Sequence, residues 1–376
     1  MIKKLVLSTG ILLVTASAPA FAQLACQEQS TILAAQANME TEEGESIAVR
    51  APRDLKRGQS SHLVPMIRES LGLSGAGGFD AELQSAVKAH QSELGFTPSG
   101  VLDSHTFMNV VPLSAQYRAK VAEKAAEQCR RVNEAVARAR PSKFVEVNVA
   151  SQTLVAYELD PTTGAAVEVL RSRVVAGAPS TQTPLNDFNL WGLKFNPGWT
   201  PTTNILSRNV VKGGSVNRRW LASHRMRITD ANGDPVSASS VTSSNWRKFR
   251  YHEPAGPNAA LGVLKLETSS NQNIYMHDTP EKSKFDWNVR LASSGCVRVQ
   301  EIEQLARWAT DALEEDTPAA RAFDKNMETV KNGIKRLPAT IPVYLTYRLV
   351  EFDEQGRTVY FADGYNRVGV PVTIAP

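Results

Sequence analysis

A cysteine and a histidine are the residues of this sequence whose types and spacing best fit covalent catalysis. Cys296 lies in the run Ser-Ser-Gly-Cys-Val-Arg at 293–298, and His277 lies 19 positions earlier (296 − 277). A thiol attacks as its thiolate and a nearby imidazole can accept its proton, so the pair predicts acyl transfer through a cysteine. Structural roles for both are the alternative, because isolated cysteines are commonly buried.

The residues before the histidine predict how the imidazole is presented. Ile274 to His277 alternates between apolar and polar residues, which indicates the end of a strand. Side chains two positions apart share a strand face, so Tyr275 and His277 should face one cleft and Asp278 the opposite side. We therefore expect a backbone carbonyl, rather than the Asp278 carboxylate, to orient the imidazole.

Groups beside the cysteine suit the same chemistry. Gly295 allows a sharp bend that brings backbone N–H groups close to a ligand. The N–H groups of Gly295 and Cys296, helped by the Tyr275 hydroxyl, are candidates to bind the oxyanion of a tetrahedral intermediate. Arg298 is a candidate to hold a substrate carboxylate through paired hydrogen bonds.

The stretch from Tyr275 to Gln300 resembles the signature of the YkuD-type L,D-transpeptidases, and most closely that of their periplasmic, YcbB-like branch. The likeness runs in order from about Phe144 to about Tyr365. Many family members carry a histidine where Ser294 stands here, whereas the periplasmic branch commonly has serine. Further matching segments are Thr183-Pro184, Asn196 to Trp199, Gly256 to Gly262 and Ile341 to Tyr347.

The resemblance implies two-step acyl transfer on peptidoglycan, with Cys296 as nucleophile and His277 as base. The donor would be a stem tetrapeptide cut between meso-diaminopimelate and D-alanine, and an amine of a second stem peptide would be the acceptor. The product would be a 3-3 crosslink, with a 1-3 crosslink as the alternative. The residues expected around the substrate and its oxyanion are Tyr275, Ser294, Gly295 and Arg298.

Two other functions stay open. With water as acceptor, the same acyl-enzyme would make the protein a carboxypeptidase or endopeptidase. A cell-wall-binding factor without catalysis is a different class, which the intact Cys296–His277 pair disfavours. The resemblance implies no cofactor and no metal, and the six histidines are scattered. It also implies that carbapenems acylate Cys296.

Composition and the first residues predict an exported protein. The 376 residues carry a net charge of +4, and no dense basic run with aromatics indicates nucleic-acid binding. Residues 1–22 have the basic start, short apolar run and Ala-Phe-Ala site of a signal peptide. A lipoprotein site at Cys26 is the alternative, although Gln23 stands where an aliphatic residue is expected. We expect a periplasmic protein of a Gram-negative cell with no transmembrane segment.

The two other cysteines predict a disulfide, because exported proteins are oxidised. Cys129 lies on a strongly helical connecting segment at 113–141, and Cys26 lies in an arm or linker at 23–54. We predict a Cys26–Cys129 bridge that ties the mature N-terminus to this helix. Two unpaired thiols are the alternative.

Residues 55–112 predict a small helical module that resembles the three-helix peptidoglycan-binding domain. His90 replaces an aromatic residue of that domain's usual pattern, and Ser99 replaces an aspartate. The module therefore either binds glycan strands or only packs against the catalytic domain. The acidic and then basic stretch from Glu40 to Ser61 reads as a linker or disordered arm.

Residues 142–366 predict a mainly β catalytic domain, an antiparallel β-sandwich, followed by a tail at 367–376. With the helical module, the chain as a whole should be a multidomain α+β protein. Residues 204–251, here termed the insertion, interrupt the strand pattern and contain nine Lys and Arg residues together with Trp220 and Trp246. By resemblance the insertion is a lid that closes on anionic stem peptides. A solvated basic excursion is the alternative.

Overall fold

The computed structural model describes residues 47–375, except 53, 257, 330, 331 and 354. The predicted signal peptide, the lipoprotein alternative and Cys26 lie outside these residues. No helix in the described ranges combines the length and the apolar character that a membrane span requires.

Helices and strands alternate irregularly along the chain. The helices are α1 Val64–Ser70, α2 Ala81–Glu93, α3 Ser104–Val110, α4 Ala115–Ala139, α5 Thr203–Asn209, α6 Arg218–Ser223, α7 Ile302–Ala309 and α8 Pro318–Thr329. The strands are β1 Ile47–Ala48, β2 Asp54–Leu55, β3 Leu102–Asp103, β4 Lys143–Asn148, β5 Thr153–Leu159, β6 Ala166–Gly177, β7 Phe188–Phe195, β8 Val211–Lys212, β9 Ser215–Val216, β10 Arg227–Thr229, β11 Arg250–His252, β12 Leu264–Thr268, β13 Met276–His277, β14 Leu291–Ser293, β15 Val297–Val299, β16 Ile334–Thr346, β17 Val350–Phe352, β18 Thr358–Tyr360 and β19 Thr373–Ile374.

A nine-stranded sheet forms the catalytic region, in the order β14-β6-β15-β13-β12-β7-β16-β4-β5. An additional pairing of β5 with β6 closes the sheet on itself. The mainly β fold class with a helical N-terminal region is confirmed. The sheet is mixed rather than purely antiparallel, because β4–β16, β6–β14 and β13–β15 pair in parallel. In each parallel pair, the chain segment between the two strands is long enough to form a crossover connection.

Both faces of this sheet are covered by apolar side chains. Val145 and Leu264 are fully buried in the large central core. On the other face, Phe144 stacks on Tyr157 with ring centroids 4.8 Å apart, and Val132 of α4 packs on this pair. β4 is accordingly buried along nearly its whole length, although apolar and polar residues alternate over 145–148.

The helical module is fastened to the catalytic region by polar contacts. Asn288 donates to the Asp103 carboxylate at 2.9 Å and to the Thr97 carbonyl at 3.1 Å. Asp103 also caps α3 by accepting the Thr106 N–H at 2.9 Å. These contacts favour the packing role of the module, whereas glycan binding stays a prediction.

Part of the segment expected to be a linker is structured. β1 pairs with β19 near the C-terminus, and β2 pairs with β3 of the module. The linker interpretation was therefore wrong for these residues. Composition did not predict these strands, because two-residue strands gain their stability from distant partners that local sequence does not reveal.

α4 forms where helical spacing predicted it, and Ser114 caps it by accepting the Tyr117 N–H at 3.2 Å. Cys129 on α4 is buried and disulfide-bonded, whereas Cys296 is free. The proposed partner, Cys26, lies outside the described residues, so the pairing stays a prediction.

Peptide mapping without reduction should recover Cys26 and Cys129 in one crosslinked species, two hydrogens lighter than the separate peptides. Reduction should lower the free energy of unfolding by about 2–4 kcal/mol, because the closed loop restricts the unfolded chain. Free thiols at both positions would contradict the pairing.

Candidate active site

The cysteine and the histidine lie on neighbouring segments of the sheet. β13 pairs in parallel with β15, with His277 opposite Arg298. The N–H of Val297 donates to the Tyr275 carbonyl at 3.1 Å, which sets Tyr275 beside Cys296. Because alternate residues share a strand face, Tyr275, His277, Cys296 and Arg298 all line one cleft.

The imidazole of His277 is buried and held by the backbone. Its Nδ1 donates to the carbonyl of Asp278, which leaves Nε2 as the basic nitrogen. The Asp278 carboxylate instead accepts the Val263 N–H at 3.0 Å and pairs with Lys282. The expected orientation by a backbone carbonyl is confirmed. Burial, with the positive charge of Arg298, lowers the pKa of His277 to about 3, so the imidazole is neutral at pH 7.

The thiol of Cys296 is half-buried, and its Sγ contacts the carbonyl oxygen of Asn273 at 3.7 Å. Burial raises the pKa of this thiol. Hydrogen bonding with Tyr275 and nearby positive charges lower the pKa, but by less than burial raises it. The resting pair is therefore a neutral thiol and a neutral imidazole, rather than a thiolate and an imidazolium. Proton transfer from sulfur then has to accompany attack.

This charge state predicts the pH dependence of alkylation by iodoacetamide. Below the raised thiol pKa, the rate at Cys296 should rise about tenfold per pH unit, because each unit increases the thiolate fraction tenfold. The imidazole, with its pKa at about 3, stays neutral throughout pH 5–9 and adds no inflection. Intact-mass kinetics measure the rate, with Cys296→Ala as control. A rate plateau between pH 5 and 7 would indicate a thiolate–imidazolium pair instead.

The loop that carries the nucleophile is fixed by hydrogen bonds within the loop and by one from Thr183. Gly295 has a φ of +120°, which side-chain-bearing residues rarely adopt. Ser293 Oγ accepts the Gly295 N–H at 3.1 Å and donates to the Cys296 carbonyl at 2.6 Å. Thr183 Oγ1 donates to the Gly295 carbonyl at 2.8 Å. In this conformation the Gly295 N–H is engaged, so the oxyanion candidates that remain are the Cys296 N–H and the Tyr275 hydroxyl.

Arg298 already holds a carboxylate that belongs to the protein. Its Nη1 lies 2.5 Å from Oε2 of Glu281, and Lys284 lies 2.8 Å from Oε1 of the same residue. Glu281 and Arg298 both line the cleft. Sequence reasoning missed Glu281, and its position just after Pro280 gave no signal for this pairing.

The insertion forms one wall of the cleft, whose volume is about 490 Å³. It folds around its own apolar core, which includes Trp246 and Tyr251. Trp220 packs against His224 with ring centroids 4.6 Å apart, and against Trp199 at 6.3 Å. The lining residues from the insertion are Ile205, Asn209, Trp220, Ser223 and His224.

None of the nine basic residues of the insertion, all of which the structure describes, lines this cleft. The expected contact between these cations and a peptide in the cleft is therefore not seen. Ser294, by contrast, does line the cleft beside Cys296. Within the described ranges, no group of three or more His, Cys, Asp or Glu residues could hold a metal ion.

Comparison with known proteins identifies the family of the chain. The profile of the YkuD L,D-transpeptidase catalytic domain matches residues 142–366, more than half of the chain. The chain therefore belongs to the YkuD L,D-transpeptidase family. A Haemophilus influenzae protein named "Putative L,D-transpeptidase" is 31% identical over 208 residues, which cover 53% of this chain and 41% of the relative. The chain thus matches less than half the length of that relative.

Solved structures of L,D-transpeptidases show weaker similarity. An enzyme from Mycobacterium smegmatis shares 12% identity over 55% of this chain and 58% of its own, with a TM-score of 0.24. An enzyme from Xylanimonas cellulosilytica shares 15% identity over 79% of this chain and 99% of its own, with a TM-score of 0.22. Because these scores are low, the family assignment rests on the sequence match.

Proposed function

We propose that this protein crosslinks peptidoglycan stem peptides through a thioester on Cys296, with 3-3 crosslinks as the product. The observation that carries the proposal is the free, half-buried thiol in one cleft with an imidazole whose Nδ1 is fixed by a backbone carbonyl. This arrangement leaves Nε2 as the base toward the cleft. Family membership supports the substrate class.

The proposed first step makes the thioester. Sγ attacks the carbonyl carbon between meso-diaminopimelate and D-alanine, while its proton passes to Nε2 of His277. The tetrahedral oxyanion is stabilised by the Cys296 N–H and the Tyr275 hydroxyl. When the C–N bond breaks, His277 returns the proton to the leaving nitrogen, and D-alanine departs.

The proposed second step transfers the acyl group. An acceptor amine attacks the thioester carbon, His277 accepts a proton from it, and the sulfur leaves and is reprotonated. Water would give a tripeptide by the same route. The wall that the insertion builds over the cleft supports transfer rather than hydrolysis, because it limits access of water to the thioester.

We assign Glu281 the role of a displaceable carboxylate on Arg298. Glu281→Gln should lower the KM for a tetrapeptide donor about threefold at unchanged kcat, because the substrate carboxylate no longer competes with an internal one. The difference should vanish with a donor whose terminal carboxylate is amidated. Glu303→Gln, which removes the exposed partner of Arg307, is the matched control. A raised KM would mean that Glu281 orients Arg298 instead.

The acyl-enzyme can be tested directly by intact-mass spectrometry. Wild-type protein incubated with disaccharide-tetrapeptide should gain the mass of the donor minus D-alanine, and with a carbapenem the mass of the drug. Cys296→Ala should gain neither. Absence of both adducts on a wild-type thiol that still reacts with iodoacetamide would contradict the proposal.

The cellular setting follows from the proposed substrate. We propose that the protein acts in the periplasm of a Gram-negative cell and belongs to the YcbB-like branch of the family. The signal-peptide pattern at 1–22 supports export, and the insertion at 204–251 supports the branch. The helical module acts as a brace for the catalytic region, supported by the contacts of Asn288.

A further inference from the structure

The insertion carries a high density of positive charge on exposed side chains that do not line the catalytic cleft. Residues 204–251 contain nine Lys and Arg residues and two Asp residues, a net charge of +7. The whole chain carries +4, so the remaining residues carry −3. The nine cations are Arg208, Lys212, Arg218, Arg219, Arg225, Arg227, Arg247, Lys248 and Arg250, and every one is exposed.

Within the part of the chain that the structure describes, these charges are not neutralised. In the described ranges, the ion pairs involve none of the nine side chains. Hydrogen bonds that two of them make go to backbone carbonyls at 3.4 Å, from Arg218 to Ser239 and from Arg225 to Pro254. Unpaired cations at this density repel one another, so the surface favours binding of a polyanion.

Local structure orients two of these side chains toward solvent. β10 and β11 form a two-stranded ribbon in which Ile228 lies opposite Tyr251, and both are buried in the core of the insertion. Because successive side chains of a strand point to opposite faces, the flanking Arg227 and Arg250 lie on the other, exposed face of the ribbon. The apolar core thus fixes which residues face solvent.

The character of the surface indicates a hydrated polymer rather than a membrane. Peripheral membrane segments combine cations with exposed apolar side chains that enter the bilayer. Here Trp246 is buried in the insertion and Trp220 faces the cleft. In the described residues, the exposed large hydrophobic side chains lie outside the insertion, at Ile47, Val167, Val169, Trp287, Leu313 and Ile334.

We propose that the outer face of the insertion binds carboxylate-bearing stem peptides of the cell-wall polymer that lie outside the catalytic cleft. The inference rests on the proposed function for its choice of polymer. Many weak carboxylate contacts on one polymer raise the effective concentration of the stem that enters the cleft. The insertion thereby tethers the enzyme to its polymeric substrate, while the insertion residues that line the cleft enclose the reacting bond.

The test is co-sedimentation of the full chain with purified sacculi, in a Cys296→Ala background that prevents turnover. The neutralised variant carries Arg218→Gln, Arg219→Gln, Arg247→Gln and Lys248→Gln. The control variant removes the same charge from exposed cations elsewhere, by Lys56→Gln, Arg57→Gln, Lys88→Gln and Lys325→Gln. A second insertion variant, Arg227→Gln with Arg250→Gln, guards against misfolding of the first.

The insertion variants should lose salt-sensitive binding to sacculi, about tenfold for the fourfold variant at low salt, while the control variant binds like the parent. In the Cys296-containing background, acylation by soluble disaccharide-tetrapeptide should be unchanged in all variants. That second readout separates the two proposals, since a protein that is never acylated would refute the proposed function and not the tether.

Three results would overturn the tether. Equal binding by parent and insertion variants would show that the surface does not bind the polymer. Equal losses in the insertion and control variants would show only an effect of total charge. The same variants are also sedimented with vesicles of anionic phospholipid. If the insertion variants still bind sacculi but no longer bind these vesicles, the surface is a membrane-binding one.

Discussion

Replacing His277 with glutamine is expected to slow acylation of Cys296 by about 100- to 10,000-fold, the usual contribution of a positioned general base. The reason is geometric and electrostatic. Nδ1 is fixed by the Asp278 carbonyl, so Nε2 is the basic atom, and burial keeps it unprotonated at pH 7. Because the resting thiol is neutral as well, attack by sulfur depends on removal of its proton.

The matched control for this variant is Asp278→Asn. The carboxylate of Asp278 faces Val263 and Lys282 rather than the imidazole, and only its backbone carbonyl orients His277. Asp278→Asn should therefore keep the acylation rate within about threefold. Stopped-flow or quenched mass spectrometry with a carbapenem measures both rates. Equal losses in the two variants would mean that the carboxylate, and not the carbonyl, supports the base.

Replacing Arg290 with methionine is expected to lower the free energy of unfolding by about 3–5 kcal/mol, because several buried carbonyls each lose a donor at a cost of about 1–3 kcal/mol. The guanidinium is buried, and burial lowers the pKa of Arg290 to about 9. It donates to backbone carbonyls, which its removal leaves without this donor. These acceptors are Ser151 at 3.1 Å, Gln152 at 3.0 Å, Val174 at 3.2 Å and Trp287 at 2.7 Å.

Arg290 also matters for the active site, because it immediately precedes β14 and the nucleophile loop. Its own N–H donates to Gln152 Oε1 at 2.9 Å, and Gln152 contacts His105 of the helical module at 3.3 Å. Urea unfolding measures the stability loss, with Arg307→Met as the control. Arg307 forms partly exposed ion pairs, so its replacement should cost less than about 1 kcal/mol. A similar loss in both variants would refute the structural role assigned to Arg290.

The local part of the site was predictable from the sequence. Period-two alternation before His277 correctly gave Tyr275 and His277 a shared face and turned Asp278 away. Helical spacing gave α4. Such patterns depend on neighbours within a few residues, so one sequence contains them.

The non-local part was not predictable. The parallel pairing of β13 with β15 brings Tyr275 beside Cys296, yet it depends on a crossover whose path the local pattern does not encode. The contact of Glu281 with Arg298 follows from that pairing. The placement of the nine cations outside the cleft likewise depends on how the core of the insertion folds, which charge counting could not reveal.

The most direct measurement incubates wild-type protein and Cys296→Ala with disaccharide-tetrapeptide and analyses the products by liquid chromatography and tandem mass spectrometry. We predict a dimer that forms with the wild type alone, has lost one D-alanine, and fragments as a link between two diaminopimelate residues. A 1-3 link would keep acyl transfer through Cys296 and change the donor carbonyl to that of the first stem residue. A tripeptide monomer as sole product would make the enzyme a hydrolase. Equal product from both proteins, or none from the wild type, would contradict acyl transfer through Cys296.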